Sequence, residues 1–113
     1  MSARGLEAID RIVNDGGDAD DVLRAVVSAL ASEPGIDWAG VLFLESGALA
    51  LGPVAGTADQ ARRLQVPVSY QGTQVGQLAV DGVADTAFLD GVATLISAHV
   101  LLGWDIGGEV WEP

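Results

Sequence analysis

The side chains that could do chemistry in this chain are few and widely separated. His99 is the only histidine, and the chain has no cysteine, so disulfides, thiolate metal sites and cysteine nucleophiles are excluded. A histidine titrates near neutrality and could bind a metal or sense pH. No second metal ligand or nucleophile accompanies His99 at a suitable spacing. A packed or partly exposed helix residue is therefore the better interpretation of His99.

Three acids near the N-terminus have the alternating spacing of the oxygen ligands in calcium loops: Asp18, Asp20 and Asp21. The later glycine and glutamate that complete such a loop are missing. The pattern therefore favours helix capping, in which these acids accept hydrogen bonds from free amides and complement the positive end of the helix dipole. The sequence predicts no metal site.

Nucleophilic and nucleotide-binding patterns are also incomplete. The serines have no histidine at a suggestive position: Ser28, Ser46, Ser69 and Ser97. The three glycines within residues 103–108 are neither preceded by a strand nor followed by a helix, as a dinucleotide motif requires. We therefore predict no catalytic residue, no cofactor and no enzymatic activity.

Charge limits the partners that the chain could have. Its 113 residues include 16 acids against five arginines and no lysine, and the formal charge is −11. Nucleic acids and anionic membranes require a basic stripe, and Arg62-Arg63 is the only adjacent basic pair. The apolar tract 92–104 is interrupted and too short to span a bilayer. We predict no nucleic-acid partner, no membrane association, a cytoplasmic location and a prokaryotic source.

The order of elements follows from hydrophobic periodicity. Apolar residues at helical spacing predict helices over about 6–13, 18–33 and 85–102, the last ending at Gly103. Alternating apolar residues between them predict two hairpins joined by a short connection, in which Thr57 caps a helical turn. The class is α+β: one domain, 1–113, with a single antiparallel sheet of about four to six strands and helices on one face. Residues 103–113 are predicted to form an irregular tail whose Trp104 and Trp111 pack back onto the domain or a partner.

Two stretches resemble a GAF domain, a small sensory module with relatives among PAS and roadblock-type folds. The first is the helix DDVLRAVVSALASE (20–33) leading into the strand WAGVLFLESGALAL (38–51). The second is the hairpin VPVSYQGTQVGQLAVDG (66–82) leading into the helix FLDGVATLISAHV (88–100). Residues 75–80 match the family's x-x-G-x-L-x-V pattern before the last helix. The resemblance covers most of residues 18–102.

The resemblance implies a sensory or regulatory role. Family members bind cyclic nucleotides, bilins, haem or other small molecules between the sheet and the connection before this hairpin. Here that connection, about 56–64, is much abbreviated. A methionine sulfoxide reductase branch of the family uses cysteines, which this chain lacks. Candidate lining residues for a small-molecule effector are Trp38, Phe43, Leu51, Val54 and Tyr70.

Two functional hypotheses follow. The favoured one is a GAF-like regulatory or interaction module that forms a homodimer and has little or no ligand pocket. The alternative is a small-molecule-sensing GAF domain in signal transduction or transcriptional regulation. The surplus of apolar residues on the three helices predicts a helical dimer interface. Its candidate residues are Leu6, Ile9, Val13, Leu95, His99 and Leu102.

Overall fold

The structure, a computed structural model, describes the backbone of residues 3–15 and 17–110 and the side chains of 5–15 and 17–101. Three helices and four strands follow the predicted order, with one short 3₁₀ turn at Gln60–Arg62. The elements are α1 Ala3–Asn14, α2 Ala19–Ala31, β1 Ile36–Glu45, β2 Ala48–Gly56, β3 Arg63–Tyr70, β4 Thr73–Gly82 and α3 Thr86–Val110.

The sheet is a single four-stranded antiparallel sheet with strand order β2-β1-β4-β3. The two hairpins β1–β2 and β3–β4 turn at Ser46-Gly47 and Gln71-Gly72, where both residues have positive φ. This geometry matches the right-handed twist of the strands and explains the glycine in each turn. Each edge strand contains one proline, Pro53 in β2 and Pro67 in β3, and proline is tolerated at sheet edges.

The helices cover one face of the sheet. Helix α2 packs on β1 and β2, α3 packs on β3 and β4, and α1 packs against both of these helices. The core between the layers contains the apolar stripe of α2, alternate residues of the central strands and the inner side of α3. Its fully buried members include Leu23, Leu30, Val41, Leu78 and Ile96. The predicted α+β architecture, with one antiparallel sheet and helices on one face, is confirmed.

Two local predictions are wrong. Helix α3 continues past Gly103 to Val110, so residues 103–110 are helical and not irregular. One glycine in a continuing helix costs only about 1 kcal/mol relative to alanine, which is too little to end it. In the connection, the 3₁₀ turn begins after Asp59, and the Thr57 amide donates instead to the Asp37 carbonyl at 2.9 Å. Trp111 and the side chains of Leu102 and Trp104 lie outside the described part of the chain.

The helices within the described ranges include none that is both long and apolar enough to cross a membrane.

Gly76, the glycine of the x-x-G-x-L-x-V pattern, lies where two other elements approach closely. A Cβ atom at this position would collide with the Leu42 carbonyl oxygen of β1 and lie 3.0 Å from the Val100 Cγ1 of α3. We therefore expect Gly76→Ala to lower the free energy of unfolding by about 1–3 kcal/mol, since overpacking forces the backbone to shift. Urea denaturation measures this change. Ser69→Ala, at an exposed site on β3, is the control and should change stability by less than about 0.5 kcal/mol.

Candidate functional site on the outer face of the sheet

The face of the sheet opposite the helices, here called the outer face, carries the chain's main exposed apolar surface. Five large apolar side chains are exposed within the described residues, and three of them belong to β2: Leu49, Leu51 and Val54, at 40%, 64% and 46%. Leu51 lies opposite Leu42 of β1, which also points away from the helices because the preceding Val41 is in the core. We call Leu42, Leu49, Leu51 and Val54 the outer patch.

Beside the outer patch, Trp38 lies on the outer face with its ring next to Gly40. A Cβ atom at Gly40 would be 2.6 Å from the Trp38 Cη2 and 3.0 Å from the Val54 Cγ1, so the indole occupies the space above this glycine. Only 6% of Trp38 is exposed. The missing side chain of Gly40 therefore allows the tryptophan to cover the centre of the sheet, next to Val54.

Arg63, the first residue of β3, lies over the Trp38 ring. The Arg63 Cζ lies 4.2 Å from the ring centroid, within cation–π range. The same guanidinium binds Asp81 of β4 in two places: Nε donates to Oδ1 at 2.7 Å and Nη2 donates to Oδ2 at 2.8 Å. Asp81 is fully buried. Arg63 thus joins an aromatic ring and a buried carboxylate in one stack on the outer face.

The connection between the hairpins is held to the same stack. The backbone N–H of Asp59 donates to the Asp81 Oδ2 at 2.6 Å. Arg62 donates from Nη1 to the Asp37 Oδ2 at 3.1 Å and lies 3.9 Å from the Asp59 Oδ2. These contacts tie a short segment across the end of the sheet where Trp38 lies.

The electrostatics of the stack are set by Arg63. Its hydrogen bonds hold the pKa of Asp81 below the ordinary value, and the Asp59 amide acts in the same direction, while burial opposes both. The hydrogen bond to Asp81 also raises the pKa of Arg63. Both groups are therefore charged near neutrality, and the buried carboxylate is paired.

Solved structures with this architecture decide the fold. The GAF domain of an Acinetobacter phosphoenolpyruvate-protein phosphotransferase superposes with a TM-score of 0.76 at 16% identity, covering 96% of this chain and 99% of that one. A protein assigned as a GAF sensor from Burkholderia vietnamiensis gives a TM-score of 0.73 at 18% identity, with 86% and 91% covered. The fold is GAF-like. No protein-family model and no curated protein sequence matches the chain.

The GAF-like fold also occurs in enzymes, and this corrects one prediction. The free methionine-R-sulfoxide reductase of Neisseria meningitidis, solved with its substrate, matches with a TM-score of 0.71 at 17% identity, covering 89% of each chain. Structures of such reductases from other species also match. The prediction that the chain is not an enzyme is thereby contradicted, because enzymes share its fold.

The predicted ligand-lining residues do not form one cluster. Trp38, Leu51 and Val54 lie together on the outer face. Phe43 instead packs against the core on the helix side, because it is an odd number of positions along β1 from Trp38, and alternate residues of a strand face opposite sides. Tyr70 lies half-buried at the β3–β4 turn. The outer face therefore brings together three of the five residues.

The predicted helical interface is partly used within the subunit. Ile9 is 1% exposed and belongs to the core, so it offers no surface to a second copy. Leu6, Val13 and Leu95 are partly buried against the same core. Leu6 and Leu95 also line a groove of about 450 Å³ between α1 and α3. Leu6 and Leu95 are therefore accessible at the surface of the helices, whereas Ile9 is not.

The histidine and the acids considered as metal ligands lie apart from the outer face, on α2, its N-cap and α3. His99 is half-buried on α3, and its Nδ1 has no hydrogen-bond partner among the described residues. Asp18 is at the N-cap position of α2 but forms no capping hydrogen bond with its side chain, which corrects that prediction. Asp20 instead pairs with Arg24 at 2.7 Å. Within the described residues, no group of three or more His, Cys, Asp or Glu side chains could hold a metal.

Sequence reasoning missed the stack of Trp38, Arg63 and Asp81 as a unit. The adjacent pair Arg62-Arg63 was visible, and so was Asp81 in front of a glycine, but nothing in their spacing linked them. The signal that could have found them is an acid within a mostly apolar strand, because such an acid requires a charged partner when it is buried.

A double-mutant cycle tests the buried pair. Arg63→Leu leaves the Asp81 carboxylate buried without its guanidinium, so we expect a marked loss of stability at neutral pH. Adding Asp81→Leu should recover part of the loss, because the unpaired charge is removed. Urea denaturation of the four proteins gives the coupling. Arg24→Leu, which breaks the exposed pair with Asp20, is the control and should leave the midpoint nearly unchanged. Additive effects of the two substitutions would contradict the pairing.

The same pair predicts a pH dependence. The pKa of Asp81 is lower in the folded chain than its unfolded value of about 3.9. Its ionised form therefore contributes stability above about pH 4, and that contribution is lost as the pH falls through the folded pKa. The stability difference between the native chain and Asp81→Asn should shrink between neutral pH and acid pH. A constant difference across this range, measured by urea denaturation, would show that Asp81 does not titrate in this way.

Proposed function

We propose that this chain is a GAF-like regulatory or interaction module that works as a homodimer and has little or no pocket for a small molecule. The observation that carries the proposal is the state of the outer face. One end is filled by the chain's own Trp38, and the other end exposes the outer patch.

The filled end argues against a bound effector. A small-molecule site needs a concave space lined by apolar and a few polar groups. Here the indole of Trp38 lies over Gly40, and the guanidinium of Arg63 covers the indole. Asp59, in the short connection, is bonded to Asp81 beside them. Side chains thus occupy the space where a ligand would contact the sheet.

The exposed end argues for association. Large apolar side chains that are contiguous on a surface mark interaction sites. Leu49 and Leu51 lie directly opposite Leu44 and Leu42, and Val54 lies opposite Gly40, so the patch is continuous across two strands. Burying it against an equivalent patch would remove apolar area from water, at about 25 cal/mol per Å².

Charge favours a second copy at this face. A chain with a formal charge of −11 repels itself wherever its carboxylates meet. The cross-strand neighbours of the outer patch are apolar or neutral, and the acids at the Trp38 end, Asp37, Asp59 and Asp81, all lie close to Arg62 or Arg63. Two outer patches can therefore meet without bringing unpaired carboxylates together. The surface of α1 is less suited, because it carries exposed acids.

Introducing a charge into the outer patch tests the homodimer. Leu51→Glu places a carboxylate in the proposed interface, and we expect it to convert the dimer to a folded monomer, because the charge would be buried without a partner. Sedimentation equilibrium measures the mass, and circular dichroism checks the fold. Val83→Glu is the matched control: Val83 is 71% exposed and lies outside the outer patch, so its variant should remain dimeric.

Native mass spectrometry separates this proposal from a sensor. We expect a mass of two chains with nothing else bound. A monomer at high protein concentration would refute the homodimer. A retained small molecule would favour the sensing alternative.

A further inference from the structure

The groove between α1 and α3 has an apolar floor. Leu6, Gly91 and Leu95 line it, and Glu7, Asp10 and Thr94 complete the lining of about 450 Å³. A Cβ atom at Gly91 would lie 3.2 Å from the Leu6 side chain, so glycine keeps this part of the floor open. The Thr94 hydroxyl donates to the Asp90 carbonyl within its own helix and is therefore already satisfied.

The groove continues along α1. A second depression of about 570 Å³ shares Glu7 and Asp10 with it and is otherwise lined by Arg11, Asn14 and Asp15. From Leu6 to Asn14 the helix rises by about 12 Å, at 1.5 Å per residue. The groove and this open depression thus form one continuous surface along α1, about two helical turns long, which we call the α1–α3 channel.

The rim of the channel is acidic. Its lining contains three carboxylates, Glu7, Asp10 and Asp15, and one guanidinium, Arg11. Asp90 is exposed on α3, next to Gly91. Among the described side chains, none of these groups forms a salt bridge, and Asp10 accepts only the Asn14 amide, at 3.0 Å. The channel therefore has an apolar floor and available negative charge on its sides.

We propose that the α1–α3 channel binds a basic amphipathic helix of a partner protein. The apolar side of such a helix would place a side chain on Leu6 and Leu95, and its lysines or arginines would lie beside Glu7 and Asp10. Helix-in-groove recognition uses this combination of apolar anchors and flanking charge. A second copy of this chain fits the channel less well, because it would bring the same acids against each other. This site is separate from the outer patch.

The probe is a pair of synthetic peptides of about 18 residues, long enough to form a helix. Both carry one stripe of leucine and alanine; the flanking positions are lysine in one peptide and glutamate in the other. Fluorescence anisotropy with the full chain measures binding. We expect the lysine peptide to bind, with an affinity that falls as salt rises, and the glutamate peptide not to bind.

Charge-matched variants locate the binding surface. Glu7→Gln with Asp10→Asn removes two rim carboxylates and should lower the affinity for the lysine peptide roughly three- to tenfold. Asp37→Asn with Glu45→Gln removes two carboxylates from β1 and should change affinity by less than about twofold, since long-range charge effects are screened. Thr94→Arg places a bulky cation in the channel at an exposed position and should abolish binding. Ser28→Arg, exposed on α2, is its control.

Three results would overturn the inference. Equal weakening by the two double variants would show that the peptide responds only to overall charge. Binding of the glutamate peptide would show that the rim does not select the partner. Loss of the homodimer in Thr94→Arg would assign the channel to a second copy. The Leu51→Glu variant tests the two proposals separately. If it is a monomer that still binds the lysine peptide, both proposals are supported. If it remains a dimer, only the proposed function is refuted.

Discussion

A buried carboxylate constrains one side of this domain. Asp81 lies in a central strand and is fully shielded from water, a position that an acid can occupy only when its charge is met. Arg63 meets it with a two-point contact, which fixes where β3 begins. The same guanidinium lies over the Trp38 ring, and the Asp59 amide also donates to the Asp81 carboxylate, at Oδ2. The start of one strand, the position of an indole and the path of the connection are therefore linked through a single group.

The sequence was sufficient for the order of elements, because hydrophobic periodicity and turn residues are local. The apolar stripe of α2 and the glycines of the two hairpin turns carry that information without tertiary contacts. The candidate site could not be predicted from the sequence in the same way. The register of β1 shifts between Ile36 and Trp38, and such an irregularity changes which side chains share a face. The pairing of Arg63 with Asp81 joins residues 18 apart and has no periodic signature. The end of α3 was predicted wrongly because a single glycine, Gly103, destabilises a helix too little to end it.

The two open surfaces of the domain differ in charge and therefore in the partners that suit them. The outer patch is apolar with neutral cross-strand neighbours, whereas the α1–α3 channel combines Leu6 and Leu95 with acids on its rim. In a strongly acidic chain, repulsion between carboxylates opposes self-association. A surface patch without charge lacks this repulsion and is therefore better suited to a second copy than the acidic surface is. In the two proposals, a second copy would bind at the outer patch and a basic partner in the α1–α3 channel, on opposite sides of the sheet. A copy bound at one side would leave the other side free.

The prolines of the edge strands bear on how far such an assembly can grow. Pro53 and Pro67 lie in β2 and β3, the two strands that border the sheet, and proline has no N–H to donate to an added strand. Extension of the sheet from chain to chain is therefore interrupted at both borders. Contact through the faces of two sheets is instead self-complementary and closes after one partner has been added. A pair formed through the proposed outer patch would therefore stay finite, although nearly half of the chain's residues are apolar.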